Sequence, residues 1–217
     1  MTEGTIEVFT ENIYDPRISE RCDRIYPLLS CEEREKADWF LHREDRLRFI
    51  TGRLMIRTLA EERLGNAYPE ISLTEYGKPY IAGAEGFHFN ISHSGSFVVL
   101  ALSDSPVGVD TEQIVPIEWQ DIAETFSPSE REMIDNADDP LRCFYRIWTV
   151  REAFSKEEGI GLSLFENEQP EIGYNSGTVN YRGKTLYFNV WEKDGHSVCV
   201  CGAYGRILEK TIGENDK

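Results

Sequence analysis

The 217-residue sequence contains no long apolar segment. Its longest apolar run, "FVVLAL", is far too short to span a bilayer. The first ten residues, "MTEGTIEVFT", have neither the basic start nor the apolar stretch of a signal peptide. With a hydrophobic fraction of 40%, these absences predict a globular cytoplasmic protein with enough core for one large domain or two small ones.

Positive charge is also scarce. Lys and Arg total 23 against 39 Asp and Glu, which gives a net charge of -16. The chain as a whole therefore repels polyanions, and this argues against binding to duplex nucleic acid or to an anionic membrane. Any anionic ligand must be held by a local cluster of cations.

The cysteines do not form a metal-binding or disulfide pattern. They number five, and none form a closely spaced pair of the kind that binds zinc. Two of them, Cys199 and Cys201 in "SVCVCGA", alternate with Val as strand residues do. The pattern favours free, partly buried thiols in a reducing compartment.

The order of predicted elements occurs twice along the chain. First come the strand "TIEVFT", a loop, helices that begin at the Ser30 capping box and run to Gly65, a "GKP" turn, and a hairpin from "FHFNIS" to "FVVLAL". After "SDSP" follow the strand "VGVDTEQI", a helix capped by Ser127, a long helix through "WTVREAFSKEEG", three strands and a short polar tail. We therefore predict an α+β fold of two similar halves, residues 1–104 and 105–217, with a cleft between them.

The strand "VGVDTEQI" carries two acids on one face. Its period of two puts Gly108, Asp110 and Glu112 on one side and Val107 and Val109 on the other. Neighbouring carboxylates raise each other's pKa unless a cation lies between them, and Mg²⁺ prefers oxygen ligands of this kind. Gly108 is expected to leave the backbone uncovered for a ligand. The alternative is a strand end with two exposed acids in an acidic protein.

The segment "WTVREAFSK" places Glu152 four residues before Lys156 on one face of a helix. At a protein surface such a pair contributes only about 0.3–0.5 kcal/mol. Ile147, Trp148 and Phe154 make most of the helix apolar, however, so the pair forms a narrow polar strip that needs partners. If this helix packs over the strand, the two strand acids could meet Glu152 around one metal ion.

Other candidate residues are weak evidence singly. "FNISHSG" offers Ser92 and His93 at a strand end, and "YGKPY" offers Lys78 in a rigid turn. A lone histidine in a turn is more often a surface or structural residue. Three arginines fall on or near the long helix of the first half, where a solvated basic face is an equally good explanation: Arg48, Arg53 and Arg57.

Taken together, "YGKPY", "FNISHSG", "VGVDTE" and "WTVREAFSKEEGIGL" resemble, in this order and spacing, the Sfp-type 4'-phosphopantetheinyl transferases. The similarity runs from about "LLSCEEREKADWFLHRED" to "GIGLSL". It implies two α+β halves in a pseudo-twofold arrangement, with the active site in the cleft between them. It also implies transfer of the phosphopantetheine arm of coenzyme A to a serine of an apo acyl or peptidyl carrier protein, releasing adenosine 3',5'-bisphosphate.

The resemblance also implies roles for individual residues. Asp110, Glu112 and Glu152 would hold Mg²⁺, which would bridge the pyrophosphate of coenzyme A. Glu152 would take the serine proton, directly or through a metal-bound water, and Lys156 would stabilise or protonate the departing bisphosphate. The catalytic set is therefore Asp110, Glu152 and Lys156. The groups expected to hold the nucleotide phosphates are Lys36, Arg48, Lys78, Ser92 and His93.

Two positions depart from the family's pattern. Arg151 stands where the family usually carries Lys, which keeps the charge but changes the geometry. Glu33 stands near a place where relatives offer a basic residue to the 3'-phosphate. Coenzyme A affinity is then expected to depend more on Arg48 and His93.

Two other functions compete with this one. A non-catalytic module could bind coenzyme A or carrier domains, although the acids together with Lys156 argue against a mere binder. The chain could also be a different Mg²⁺-dependent phosphoryl or nucleotidyl enzyme. Only the motifs "GKP", "SHSG" and "KEEGIGL" favour the phosphopantetheinyl transferase over this alternative. The carrier is expected to meet the segment after "VGVDTEQI", where Trp119 and Phe126 are candidates unless they pack in the core. A monomer is expected because one chain builds the cleft.

Overall fold

The computed structural model describes residues 4–168 and 170–212. The first half contains β1 (Ile6–Asn12), α1 (Pro16–Ile25), a 3-10 turn (Tyr26–Leu28), α2 (Cys31–Trp39), α3 (Arg43–Leu64), β2 (Ile71–Leu73), β3 (Pro79–Ile81), β4 (His88–Ser94) and β5 (Phe97–Ser103). The second half contains β6 (Val107–Gln113), α4 (Gln120–Ala123), α5 (Pro128–Asp135), α6 (Pro140–Glu158), α7 (Leu164–Asn167), β7 (Glu171–Gly173), β8 (Thr178–Tyr181), β9 (Lys184–Lys193), β10 (His196–Gly202) and β11 (Ile207–Lys210).

The ends of the helices follow local signals in the sequence. The Ser30 hydroxyl accepts a hydrogen bond from the Glu33 backbone nitrogen at 3.1 Å, and the Glu33 carboxylate accepts one from the Ser30 nitrogen at 3.0 Å. This is the predicted capping box. Gly65 and Gly159 end α3 and α6 with φ values of 67° and 75°, which only glycine adopts readily.

Helix α1 occupies a segment that we predicted to be a loop, so that prediction is wrong. The Asp15 side chain caps the helix by accepting a hydrogen bond from the Arg17 nitrogen at 2.9 Å, and Pro16 takes the first helical position. Ile18 and Cys22, four residues apart, are buried against the first half. The helix is short, and packing against α3 stabilises it.

The two large sheets repeat one strand order. The first sheet runs β11-β1-β5-β4 and the second runs β6-β10-β9-β8-β7. In the first sheet β1 pairs antiparallel with β5, and β5 pairs with β4 in a hairpin. In the second sheet β6 pairs antiparallel with β10 in the same way, and β10 pairs with β9. The predicted α+β fold of two similar halves is confirmed.

The last described strand returns to the first half. Strand β11 pairs in parallel with β1, from Ile6 opposite Ile207 to Phe9 opposite Lys210. We predicted only a short polar tail in this segment, so a strand was missed. The division at residues 104 and 105 stays a prediction, and β11 lies on the far side of it from its partner strand.

The two sheets pack against each other through a shared apolar layer. Buried residues from both sheets form it: Ile6, Val8, Phe97, Val99, Ala101, Val107, Val109, Val198 and Val200. Helix α3 covers the outer face of the first sheet and α6 covers the second, packing on β6 and β10. Among the described residues, no helix has the length and apolar character to cross a membrane.

Candidate active site

Helix α6 lies directly against β6 because Gly108 has no side chain. A Cβ built on Gly108 would lie 1.9 Å from the Ala153 carbonyl oxygen and 2.4 Å from the Glu157 backbone nitrogen. Our expectation that Gly108 leaves backbone open to a ligand is therefore wrong, since the helix fills that space. This close approach brings side chains of α6 within reach of the acids on β6.

Asp110 and Lys156 meet in that contact. Lys156 Nζ lies 2.6 Å from Asp110 Oδ1. Ser92 of β4 joins the pair, donating from Oγ to the same Asp110 oxygen at 2.9 Å and accepting from Lys156 Nζ at 3.2 Å. Asp110 is 1% exposed, and its Oδ2 has no hydrogen-bond partner among the described residues. A buried carboxylate with one paired and one unpaired oxygen has capacity for a further positive group.

Glu112 lies on the same face of β6 and is half-buried. Ser94 Oγ donates to Glu112 Oε2 at 2.8 Å, and the nearby Trp148 indole favours the charged form of this carboxylate and so lowers its pKa slightly. Burial, and next the charge of Asp110, raise the pKa of Glu112 above the usual value for Glu. The repulsion predicted between neighbouring strand acids therefore acts on Glu112.

Glu152 faces this pair from α6. Its Oε2 lies 4.0 Å from Lys156 Nζ, as the spacing of four residues predicts. Burial raises the pKa of Glu152, Lys156 lowers it, and Asp110 and Glu112 raise it again, with a net upward shift. Because its proton affinity is raised, the Glu152 carboxylate is a stronger base than a free Glu side chain. The helix and strand acids are thus close enough to affect one another.

The donor atoms of these three acids suit a hard divalent cation. Within residues 4–168 and 170–212, no group of three or more His, Cys, Asp or Glu side chains is arranged to hold a metal ion as the side chains stand. Lys156 lies beside Asp110, where a cation would also be attracted. The unpartnered Asp110 Oδ2, with two further carboxylates close enough to act on one another's pKa, is the feature that fits an oxygen-binding ion such as Mg²⁺.

A cavity of about 270 Å³ opens between the halves beside Glu152 and Lys156. The turn between β2 and β3 forms one wall and includes Lys78. Lys78 Nζ donates to the carbonyl oxygens of Val107 at 3.1 Å and Glu157 at 3.0 Å. Burial lowers the pKa of Lys78. Lys78 therefore ties the first half to the β6–α6 contact at the edge of the cavity.

Arg48 and His93 lie together near the β4–β5 turn. The Arg48 guanidinium donates to the Gly95 carbonyl and to Asp45 Oδ1, each at 2.5 Å. His93 is accessible to solvent, yet the protein around it partly desolvates the ring. This desolvation, followed by the charges of Arg48 and Lys156, lowers the pKa of His93. The positive charges of Arg48 and Lys156 therefore both act at the His93 ring, and they would attract an anion bound beside it.

Lys36 borders a different cavity, of about 610 Å³, between α2, α3 and β2. Glu33 lies in the same cavity and pairs with two arginines, with its oxygens 3.0 Å from Arg53 Nε and 2.8 Å from an Arg57 guanidinium nitrogen. The Arg53 and Arg57 side chains are only 16% and 8% exposed, which excludes the alternative of a solvated basic face. Glu33 thus serves as counter-ion to two arginines as well as capping α2.

Arg151 points away from the acids. It donates to Glu130 Oε2 at 2.8 Å, and its guanidinium lies 3.8 Å and 4.9 Å from the ring centres of Phe165 and Phe126. Arg151 and Glu130 are 5% and 3% exposed. Both line a cavity of about 480 Å³ whose lining includes none of the three acids. In this chain Arg151 is part of the packing of the second half.

The two carrier-binding candidates belong to the core or its edge. Phe126 is 3% exposed and stacks on Phe144, and Trp119 is half-buried and also stacks on Phe144. The exposed apolar side chains of the same segment are instead Val115 and Ile117, at 39% and 40%.

Sequence reasoning missed two contacts of this site. Ser94 was not identified as the hydrogen-bond donor to Glu112, nor Trp148 as a neighbour that affects its pKa. The available signals were the period of two that places Ser94 beside Ser92 on β4, and the spacing of four residues between Trp148 and Glu152. Neither signal names Glu112 as the partner, because strand and helix are distant in the chain.

Two family models match consecutive parts of the chain. Residues 15–105 match a family model described as 4'-phosphopantetheinyl transferase, N-terminal. Residues 106–201 match the model of the 4'-phosphopantetheinyl transferase superfamily.

Similar curated proteins carry matching descriptions. A 4'-phosphopantetheinyl transferase of Bacillus subtilis is 40% identical, over 84% of this chain and 85% of the relative. The 4'-phosphopantetheinyl transferase ffp of Bacillus subtilis is 35% identical, over 87% and 88%. The 4'-phosphopantetheinyl transferase Sfp of Bacillus subtilis strain 168 is 33% identical, over 87% and 88%.

Proposed function

The chain belongs to the 4'-phosphopantetheinyl transferase superfamily, and from that premise we propose that it moves the phosphopantetheine arm of coenzyme A to a serine of an apo acyl or peptidyl carrier protein. The observation that carries the proposal is the buried Asp110–Lys156 contact beside Glu152, at a cavity between the two halves. In the reaction the serine oxygen bonds to the β-phosphorus of coenzyme A, and the bond from that phosphorus to the bridging oxygen breaks. Adenosine 3',5'-bisphosphate leaves.

We propose that Asp110, Glu112 and Glu152 hold Mg²⁺. The support is the unpartnered Asp110 Oδ2 and the raised pKa of the two glutamates. Bound there, the ion supplies Lewis-acid stabilisation of charge on the pyrophosphate.

Glu152 acts as the base in this proposal. Its raised pKa makes the carboxylate suited to accept the serine proton, and its partial exposure leaves it open to the cavity. Lys156 carries the positive charge closest to the acids, 2.6 Å from Asp110. Its ammonium stabilises the departing bisphosphate or protonates it.

We propose that Arg48, His93, Ser92 and Lys78 hold the phosphates of coenzyme A, with Lys36 contributing from the separate cavity that it borders. The charges of Arg48 and Lys156 both act on His93, which supports a convergence of positive groups in an otherwise acidic protein. Lys78 and Ser92 also make internal hydrogen bonds, so each has to share its polar atoms with the ligand.

The test is transfer of one phosphopantetheine group from coenzyme A to an apo carrier protein, followed by intact-mass spectrometry in the presence of Mg²⁺. Glu152→Ala should abolish transfer, and Lys156→Ala should slow it about 10²–10³-fold. Glu171→Ala, which removes an exposed carboxylate of β7, is the matched control and should keep full activity. A fully active Glu152→Ala enzyme would contradict the metal and base roles.

The same experiment separates the competing functions. Binding of coenzyme A without release of the bisphosphate would favour a non-catalytic module. Bisphosphate release with every apo carrier class unmodified would favour another magnesium-dependent phosphoryl enzyme.

We further propose a monomeric cytoplasmic protein without nucleic-acid or membrane partners. All five cysteines are free, which suits a reducing compartment, and the net charge of -16 disfavours polyanionic partners. Size-exclusion chromatography with light scattering tests the monomer, and a dimer mass would contradict it.

A further inference from the structure

Side chains of β4, rather than backbone groups, join the two sheets at the cleft. Alternate residues of this strand reach across to β6. Asn90 Oδ1 accepts from the Val109 backbone nitrogen at 2.8 Å, Ser92 donates to Asp110 at 2.9 Å, and Ser94 donates to Glu112 at 2.8 Å. The first half therefore contacts both acids of the β6 strand.

Two contacts fix the Ser94 hydroxyl. The Gln113 backbone nitrogen lies 3.1 Å from Ser94 Oγ and donates to it, because a backbone N–H can only donate. An ionised carboxylate can only accept, so the hydroxyl proton is directed at Glu112 Oε2. A carboxylate that receives a fixed donor on one oxygen has a restricted orientation.

The turn that carries Ser94 is itself tightly placed. Gly95 has φ 52°, and a Cβ there would lie 2.4 Å from Gln113 Oε1 and 2.8 Å from His196 Nε2. The Arg48 guanidinium also donates to the Gly95 carbonyl. Contacts from α3, β6 and β10 thus hold the turn, which makes Ser94 a rigid support.

We propose that Ser94 is a positioning residue whose hydroxyl orients the Glu112 carboxylate for divalent-metal binding. The inference rests on the magnesium site of the proposed function. All three proposed metal ligands belong to the second half of the chain. Ser94 belongs to the first half, so the first half would orient one of these ligands, Glu112. Assembly of the two halves and metal affinity are then coupled through one hydroxyl.

The experiment measures Mn²⁺ binding to the purified protein by water-proton relaxation, without coenzyme A or carrier. Ser94→Ala should weaken Mn²⁺ binding about 10-fold, because loss of a hydrogen bond to a ligand costs roughly that factor or more. Ser94→Thr keeps the hydroxyl and should stay within about twofold of the wild type. Ser96→Ala is the control, because it removes a hydroxyl from the same turn that makes no hydrogen bond among the described residues. It should leave Mn²⁺ affinity unchanged.

A second measurement separates positioning from a merely structural role. In transfer assays, Ser94→Ala should raise the Mg²⁺ concentration for half-maximal rate by the same factor and leave the KM for the carrier unchanged. If Ser94→Ala does not fold, the isosteric pair Ser94→Thr and Ser94→Val replaces it, and only the Val variant should lose metal affinity.

Unchanged Mn²⁺ affinity in Ser94→Ala, or equal losses in the Thr and Val variants, would overturn the inference. A wild-type protein that binds no Mn²⁺ would overturn it together with the magnesium site. A wild-type protein that binds Mn²⁺ but modifies no carrier would refute only the proposed acceptor, since the relative Mn²⁺ affinities would still decide the role of Ser94.

Discussion

Each half of the molecule buries a strand carboxylate against a cation of its long helix. In one half both carboxylate oxygens are paired, and in the other half only one is. Glu7 of β1 is 1% exposed, with Oε2 3.1 Å from an Arg63 guanidinium nitrogen and Oε1 paired with Lys210. Asp110 of β6 is also 1% exposed, but only its Oδ1 is paired, with Lys156 and Ser92. Its Oδ2 has no partner in the described part of the chain.

This difference in pairing indicates a structural role for Glu7 and a ligand-binding role for Asp110. The Glu7 carboxylate has a cation on each oxygen, so its charge is already compensated, and its role is to hold β1, β11 and α3 together. A buried carboxylate with an unpaired oxygen costs free energy unless something else binds there. Burial is the same in both halves, so the free acceptor atom distinguishes them.

The largest expected effect is on catalysis at the unpaired carboxylate. Asp110→Asn should lower kcat/KM by about 10³-fold, or ~4 kcal/mol, because it removes a charged metal ligand. The amide keeps an acceptor for Ser92 and Lys156, and Lys156 still has Glu152 Oε2 at 4.0 Å as a counter-charge, so stability should fall less than in the Glu7 variant below. Intact-mass transfer assays and thermal denaturation measure both. An active Asp110→Asn enzyme would remove the distinction between the halves.

The opposite pattern is expected at Glu7. Glu7→Gln should lower the free energy of unfolding by about 3 kcal/mol, since it leaves Arg63 and Lys210 without their buried counter-charge. Transfer by the folded fraction should stay within about twofold of the wild-type rate. Urea denaturation gives the first quantity, and transfer assays below the unfolding transition give the second. Loss of activity at full stability would mean that Glu7 belongs to a site as well.

Glu157 also has an unpartnered oxygen, Oε2, among the described residues, although it is not one of the three acids proposed to hold the metal. Burial, and next the charge of Glu158, raise the pKa of Glu157 from 4.5 to about 7. A folded-state pKa above the unfolded value means that the neutral form stabilises the fold. That stabilisation is complete below about pH 4.5 and is lost as the pH rises through about 7.

Glu157→Gln should therefore match the wild type in stability at pH 4.5 and exceed it by about 2 kcal/mol at pH 8, because Gln mimics the neutral acid. Urea midpoints at the two pH values measure this. Glu61→Gln, at an exposed position of α3, is the control and should show no such pH dependence. Equal effects at both pH values would mean that the free oxygen of Glu157 is not protonated and has another partner.

The smallest effect is expected at the second fully paired carboxylate, Glu130, which binds Arg151 and the Tyr174 hydroxyl. Arg151→Lys should lower stability by about 1 kcal/mol, because an ammonium cannot stack as a planar guanidinium does between Phe126 and Phe165. Transfer rates should change less than twofold, and urea midpoints with rate assays check both. A large loss of rate would place Arg151 in the chemistry instead.

Local patterns predicted much of the fold and which candidate residues share a strand or helix face. The alternation in β6 put Asp110 and Glu112 on one face, and the spacing of four residues in α6 brought Glu152 to Lys156. Capping boxes and terminal glycines marked the helix ends. These features depend on residues within a few positions of each other, so they are readable without knowledge of the fold.

Contacts between distant segments were not predictable in this way. The carbonyl contacts of Lys78, the orientation of Arg151 away from the acids, and the hydrogen bond from Ser94 to Glu112 each join separate elements. The space beside Gly108 was assigned to a ligand although α6 occupies it. Strand β11 was missed because its pairing with β1 spans almost the whole chain.

The order of residues is enough to show which side chains share a face, where helices begin and end, and which family the motifs resemble, because backbone periodicity and capping act over a single turn or strand. Which carboxylate oxygen is paired and which is free is visible only in the folded chain. That outcome depends on the packing of α6 against β6 and of β4 across the interface, where a change of a few ångströms makes or removes a hydrogen bond.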